Sequence, residues 1–264
     1  MQSSHGERNS ATAIEYDEFG IPFAGRIVEP ARWTQTALKR YPEGGPIDWT
    51  VLFGRTAPVV IDIGCGNGRF LLTSAVTRPD RDHIGVDTLP VVVRYARRRG
   101  NQRGLTNLKF AVGGGRELLA DHVAPGSVSE IHCYHPQPYY DPAQVQRRLI
   151  TPEFLAHVHN CLAPGGLFVV QTDNPGYWKY IAEVAPVFFD FETYRGRWPD
   201  APKGRTRREI IARRQRLTIF RGTGSPKVGL SVEDYRRLAE SLPAPIFDAD
   251  RRLLRLDQLE RGHG

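Results

Sequence analysis

A chain of 264 residues, 40% of them hydrophobic, carries enough apolar material for one α/β domain with extensions, or for a domain plus a small appendage. Its 36 Lys and Arg against 29 Asp and Glu leave a net charge of +7, which favours a polyanionic partner. Three cysteines (Cys65, Cys133, Cys161) give no disulfide framework, no apolar run approaches a membrane span, and the polar start MQSSHGERNS lacks a signal-peptide core, so a cytoplasmic protein is expected.

Residues 1–20 are polar and read as a disordered tail. Residues 21–222 then read as the main domain, and 223–264 as a helical extension. Phe23 to Phe53 holds a basic arm (Arg26, Arg32, Lys39, Arg40), and a short helix is expected from Asp48 to Phe53. Val59 to Phe70, VVIDIGCGNGRF, is an apolar run carrying Asp62 that turns through Gly64, Gly66 and Gly68 into a helix expected over 69–76. A second strand closes on Asp87, nineteen positions beyond Gly68, and a helix follows from Leu89 to Arg99, with Gly100 as its stop. Leu108 to Val112 and Ile131 to Tyr134 read as strands. Thr151-Pro152 opens a helix that Pro164-Gly165-Gly166 ends, and Leu167 to Gln171 is a fifth strand. The stretches Ile181 to Phe188 and Leu217 to Phe220 are expected to finish the sheet, and Ser231 to Leu242 to form an amphipathic helix capped by Ser231. Strands alternating with helices in this rhythm mean a Rossmann-like α/β fold with a doubly wound, mostly parallel sheet.

The pattern D-x-G-x-G-x-G over 62–68 differs from the G-x-G-x-x-G of dinucleotide sites and resembles motif I of the S-adenosylmethionine-dependent methyltransferases. Glycines there admit a ligand close to the backbone, and a strand-end acid such as Asp87 accepts both hydroxyls of a ribose. The cofactor-site candidates are Asp62, Gly64, Cys65, Gly66, Gly68, Asp87, Thr88, Gly114 and Tyr134.

Further motifs narrow the resemblance: LFGRTAPVVIDIGCGNG, HIGVD, GLTNLKF, the Pro136/Pro138 loop with Arg147-Arg148, LAPGGLFVVQTDNPGY and Thr206-Arg-Arg-Glu209. From about Trp49 to Gly222 the chain resembles the bacterial tRNA (guanine-N7)-methyltransferases. That resemblance implies a class I methyltransferase fold, S-adenosylmethionine as cofactor, tRNA or another RNA as partner, and methylation of a guanine in the tRNA variable loop. It also implies that Asp173, Tyr177, Thr206, Arg208, Glu209, Arg147 and Arg148 hold substrate, and that Gln137, Asp173 and Glu209 act at the target base.

Arg208 stands where the family's Thr-to-Glu segment has an aromatic, and two further departures from the family pattern matter more. The family loop resembling F-F-P-D-P-W reads Tyr134-His135-Pro136-Gln137-Pro138-Tyr139 here, so Gln137 stands where the family has an acid. Gly113, Gly114 and Gly115 occupy the place of an acid after the third strand. Guanine N7 carries a lone pair and no proton, so its methylation needs placement rather than a general base, and a carboxylate helps by offsetting charge developing on the purine. Asp141, Asp173 and Glu209 are the acids available to replace the lost one. Tyr134, Tyr139 and Tyr140 are candidates for stacking on an extruded base. His132, Cys133 and His135 alternate across a strand and do not converge, so no metal is expected. The basic run Lys203, Arg205, Arg207, Arg208, Arg213, Arg214, Arg216, Arg221 is read as a phosphate-holding surface. Two rival readings stay open: an enzyme of this fold with another substrate, and an RNA-binding module without catalysis.

Overall fold

Residues 13–248, 250, 253 and 254 are described by the computed structural model. Among them are seven strands: β1 (Val59–Ile63), β2 (Asp82–Asp87), β3 (Leu108–Val112), β4 (Val128–Tyr134), β5 (Leu162–Thr172), β6 (Phe189–Thr193) and β7 (Phe220–Pro226). They form one sheet in the order β3-β2-β1-β4-β5-β7-β6, with β1 to β5 parallel and β7 antiparallel to both neighbours. The helices are α1 (Trp49–Phe53), α2 (Arg69–Thr77), α3 (Pro90–Gln102), α4 (Gly115–Asp121), α5 (Pro152–Cys161), α6 (Pro175–Phe188), α7 (Arg207–Arg214) and α8 (Val232–Ser241). None is long and apolar enough to cross a membrane.

All five residues of β1 are buried because helices cover both faces of the sheet. Val59, Ile61 and Ile63 point into the larger core beneath α4, α5 and α6, whereas Val60 joins Phe70, Leu71 and Phe110 in the core beneath α2 and α3. Strand alternation therefore puts Asp62 on the α2 side. The strand order reverses between β1 and β4, which opens a crevice at the carboxyl ends of those strands.

Several elements differ from the sequence reading. Ile181 to Phe188 lies in α6 rather than in a strand: Asn174 caps the helix, Pro175 starts it, and Tyr177, Ile181, Val184 and Phe188 are buried at helical spacing. The strand follows at Phe189, and β7 begins at Phe220, where the expected strand ended. β5 starts at Leu162, so Pro164-Gly165-Gly166 falls inside its span beside a register shift in β4. α3 runs through Gly100, whose missing side chain makes room for Thr36, and the left-handed Gly104 lies just past its end.

Of the expected N-terminal tail, residues 1–12 lie outside the described residues, while 13–20 pack on the domain. Asp17 accepts from the backbone of Phe19 and Ile21 and pairs with Arg69 at 2.5 Å, and Glu15 pairs with Arg99 and Arg103. At the other end, β7 crosses the boundary expected at 222. α8 is capped by Ser231 and docks on α5, where the Tyr235 hydroxyl donates to Asn160 at 2.6 Å.

Candidate active site

The crevice holds a cavity of about 490 Å³ lined by the ends of β1, β2, β4 and β5 and by the start of α7. Its first wall is the turn after β1. Gly64, Gly66 and Gly68 all have positive φ (76°, 51° and 75°), but they serve different ends. A side chain at Gly64 or Gly66 would meet open space, whereas one at Gly68 would strike Ala96 and Phe110. Two glycines thus leave backbone open to a ligand, and the third lets α2 approach α3.

Asp87 anchors this wall. Its Oδ2 accepts from Gly66 N and its Oδ1 from Leu89 N, both at 2.9 Å. Burial raises its pKa, and the backbone N–H groups of Leu89, Gly66 and Thr88 partly oppose that rise. Thr88 itself is exposed and stands outside the lining. Asp62 is 1% exposed beneath the turn, and its Oδ1 has no hydrogen-bond partner. Burial pushes this carboxyl well above its usual range, Asp87 pushes it further, and Arg205 partly opposes them. Cys65 lines the cavity, with its thiol raised by burial. Gly114 does not line it: the glycine triplet after β3 is packed instead, with Tyr41 filling the space beside Gly113 and Ile63 that beside Gly115.

The second wall is made of side chains. Tyr134 ends a ladder of alternate residues on β4: Arg205 donates to its hydroxyl at 2.8 Å, the hydroxyl meets His132 Nδ1 at 2.9 Å, and His132 Nε2 meets Glu130 at 2.9 Å. Arg78 and Arg81 close the far end on Glu130. Because the carboxylate only accepts, His132 carries its proton on Nε2 and Tyr134 donates to Nδ1. Burial presses His132 down to about 4, against the upward pull of Glu130.

His135 and Gln137 follow on the loop, and Asp173 stands across from them after β5. The Trp198 indole N–H donates to Gln171 Oε1 at 2.7 Å, which fixes the Gln171 amide so that its nitrogen faces His135 Nε2 (2.9 Å) and Glu209 (3.2 Å). His135 Nε2 is therefore the acceptor and Nδ1 carries the proton, 3.3 Å from Asp173 Oδ1 but without hydrogen-bond alignment. Arg208 Nε donates to Asp173 Oδ2 at 2.7 Å. Burial raises the Asp173 carboxyl, and the nearby His135 N–H, through proximity rather than an aligned bond, and the hydrogen-bonded Arg208 guanidinium more than offset it, holding the group well below the usual carboxylate range. Asp173 is thus an ionised acid on the cavity wall.

The other two acids open to replacing the family's loop acid are elsewhere. Glu209 is 0% exposed and accepts from Arg213, Arg221, Gln171 and the backbone of Arg205, so it braces α7 behind the wall. Asp141 is exposed and caps its own turn through Ala143 N. Thr206 and Arg208 do line the cavity, Thr206 also capping α7 through Glu209 N. Tyr177 does not: it is buried in the core, where its hydroxyl accepts from Ile150 N at 2.8 Å. Arg147 is exposed outside the lining, and Arg148 is buried among backbone carbonyls. Tyr140 lines the cavity and Tyr139 does not.

The basic run is largely consumed internally. Arg213 and Arg221 pair with Glu209, Arg205 with Asp200, Arg207 with Glu18 and Arg208 with Asp173, while Arg214 lies over Phe19. Charge density in sequence did not reveal these acceptors. The sequence reading also passed over Arg69, Gln171 and Trp198. The alternating polar residues Glu130, His132 and Tyr134 on a central strand were the available signal for the buried ladder. His132 and Cys133 face opposite cores, and among the described residues no group of His, Cys, Asp and Glu is placed to hold a metal ion.

Residues 56–222 match the family described as "Putative methyltransferase". Three curated proteins called tRNA (guanine-N(7)-)-methyltransferase are similar to this chain. That of Pseudoalteromonas atlantica is 34% identical over 60% of the chain and 65% of its own length. That of Alkalilimnicola ehrlichii is 32% identical over 65% and 73%, and that of Mycobacterium avium 32% identical over 66% and 70%. The match thus spans about two thirds of these relatives. The crystal structure of the 16S rRNA methyltransferase KamB superposes with a TM-score of 0.55 and 18% identity, over 73% of this chain and 99% of that one, which shows the shared fold. The fold is that of the class I methyltransferases. The chain belongs to this methyltransferase family, whose pattern runs from just before β1 into the start of β7.

Proposed function

We propose that the protein transfers the methyl group of S-adenosylmethionine to N7 of a guanine in tRNA, in the variable loop by family resemblance, and that it works in the cytoplasm. The observation that carries this reading is the pairing of two walls on one cavity: an open glycine turn with Asp87 on one side, and ionised Asp173 with Thr206 and Arg208 on the other. The cofactor supplies a methyl group on a sulfonium centre. The residues fit it: Gly64 and Gly66 leave backbone exposed, Asp87 keeps lone pairs for ribose hydroxyls, Leu89, Val91 and Val92 offer an apolar surface, and Asp62, beneath the lining with an unpartnered Oδ1, suits a nearby cation.

The chain's task at the target is orientation, since N7 is already a nucleophile. Asp173 accepts from the N–H edge of guanine and offsets the positive charge that grows on the purine, an effect worth on the order of 2–4 kcal/mol. Gln137 offers an acceptor and a donor for the same base without adding charge. For the RNA strand, the exposed face of α3 runs from Val91, which lines the cavity, through Arg94, Tyr95 and Arg98, an arginine and aromatic stripe suited to phosphates and a stacked base.

The test is incubation with unmodified tRNA and methyl-labelled S-adenosylmethionine, followed by nucleoside mass spectrometry. Labelled 7-methylguanosine is the expected product. Label in another nucleoside would favour the changed substrate that Gln137 also allows, and no label beside an active control would defeat the reading for tRNA.

A further inference from the structure

The loop carrying Gln137 is bent in a way its residues do not favour. His135 (φ 50°) and Tyr139 (φ 40°), on either side of Pro136-Gln137-Pro138, both sit in the left-handed region, which a side chain holds only when its surroundings dictate it. His135 is fixed by Gln171, which accepts from its backbone N–H and donates to its ring. Tyr139 is fixed differently. The Arg148 guanidinium is buried without any carboxylate among the described residues, and it donates to Pro138 O at 2.6 Å, to Tyr139 O at 3.1 Å, to Pro245 O at 2.6 Å and to the backbone Phe247 O at 3.4 Å, which a substitution of the Phe247 side chain leaves in place. The same guanidinium lies 3.7 Å from the centre of the Phe247 ring.

Phe247 belongs to the segment after α8, far along the chain from the loop. Its ring stacks on Tyr177 at 4.8 Å and meets Tyr140 edge-on at 6.4 Å, and Gly176 leaves room for it. Tyr140 and Asn174, both on the cavity wall, are hydrogen-bonded to each other. Beyond Phe247 the chain returns to the cavity, where Leu253 is 2% exposed in its lining. The segment therefore meets both the residues beneath the loop and the cavity itself.

We propose that Phe247 is a positioning residue: by capping the Arg148 guanidinium with its ring, it holds the carbonyls of Pro138 and Tyr139 and so fixes where Gln137 presents itself to the incoming base. A cation over an aromatic face needs the ring and not merely apolar volume, and desolvation strengthens the contact. The assignment rests on the cavity being the site of methyl transfer, but the loop geometry can be tested without that reading.

Phe247→Ala, Phe247→Leu and Phe247→Tyr are made in the full chain and compared by hydrogen exchange of peptides spanning 134–141 and 59–70. Affinity for S-adenosylmethionine and kcat and KM for methyl transfer are measured on the same preparations. Expected for Ala and Leu are at least tenfold faster exchange in 134–141, unchanged exchange in 59–70, cofactor affinity within about twofold, and kcat lowered at least fivefold. Tyr restores all of these. Restoration by Leu would reduce Phe247 to a space-filler and overturn the proposal, as would unchanged exchange in 134–141 or equal loosening of both peptides. If the wild type transfers no methyl group, the functional reading fails, and the exchange result alone decides whether Phe247 positions the loop.

Discussion

The two walls of the cavity are built on different principles. The wall after β1 and β2 comes from about 30 residues of contiguous chain, 63–92, and presents backbone: open glycines and N–H groups organised by Asp87. The opposite wall gathers side chains from the ends of β4 and β5 and the start of α7. There each polar group is held by another: Asp173 by Arg208, His135 by Gln171, Gln171 by Trp198, Arg148 by carbonyls under Phe247. A backbone wall tolerates change around it and suits a ligand that never varies. A wall of interlocked side chains can be retuned for a different base, and it fails when one brace is removed.

The sharpest way to break this contrast is Glu209→Ala. It leaves Arg221, with its guanidinium inside the fold, without its partner, and it frees Arg213 and Gln171 together. A loss of about 3–5 kcal/mol is expected in urea unfolding. Where the variant folds, methyl transfer should fall more than cofactor affinity; a cost under about 1 kcal/mol would show that the second wall is not interlocked. Asp62→Asn probes the first wall in the opposite sense. Removing an unpartnered buried carboxylate should raise stability by on the order of 1–3 kcal/mol while weakening cofactor affinity roughly tenfold. Calorimetry of binding beside thermal melting reads both, and a fall in both stability and affinity would contradict the assignment.

Behind the first wall, His83 is buried against Ser74 at 2.8 Å and is pressed down to about 3, mainly by burial and further by Arg78. Its folded pKa lies below the unfolded value of about 6.5, so below that pH only the unfolded chain takes the proton. Stability from this site is therefore full above about pH 6.5 and falls toward pH 3 by about 1.4 kcal/mol per pH unit. His83→Gln should remove that part of the slope in urea titrations between pH 6 and 4.5; an unaltered slope would place the proton elsewhere. The smallest effect is expected from Gln137→Asp. With Asp173 already ionised on the wall, guanine-N7 transfer should change less than about tenfold, and a larger gain would mean that the native loop limits catalysis.

The same contrast explains which parts of the site the sequence revealed. The glycine turn and Asp87 are close in sequence, and their spacing sets the local strand-turn-helix geometry, so that turn and the parallel strands β1 to β5 were readable. Tyr177 and Glu209 lie at family motif positions, yet burial decided against contact: one faces the core from the first turn of α6 and the other points behind α7. Asp200 and Glu18, which engage Arg205 and Arg207, sit outside any motif, so the basic run resembled a free surface. Arg148 looked like a substrate ligand because no local signal shows that Pro138, Tyr139 and Pro245 turn their carbonyls toward it. Ile181 to Phe188 follows the expected fifth strand as one more periodic stretch, but its buried positions repeat every three to four residues, the period of a helix.

The most direct test of the central claim, that one wall binds the cofactor and Asp173 on the other serves the base, is Asp173→Asn. Cofactor affinity and formation of labelled 7-methylguanosine on tRNA are measured with the same preparation. Affinity within about twofold of wild type is expected, with transfer lowered by at least thirtyfold and partly recovered when Gln137→Asp is added. Transfer left intact, or affinity lost in step with it, would contradict the division of the site.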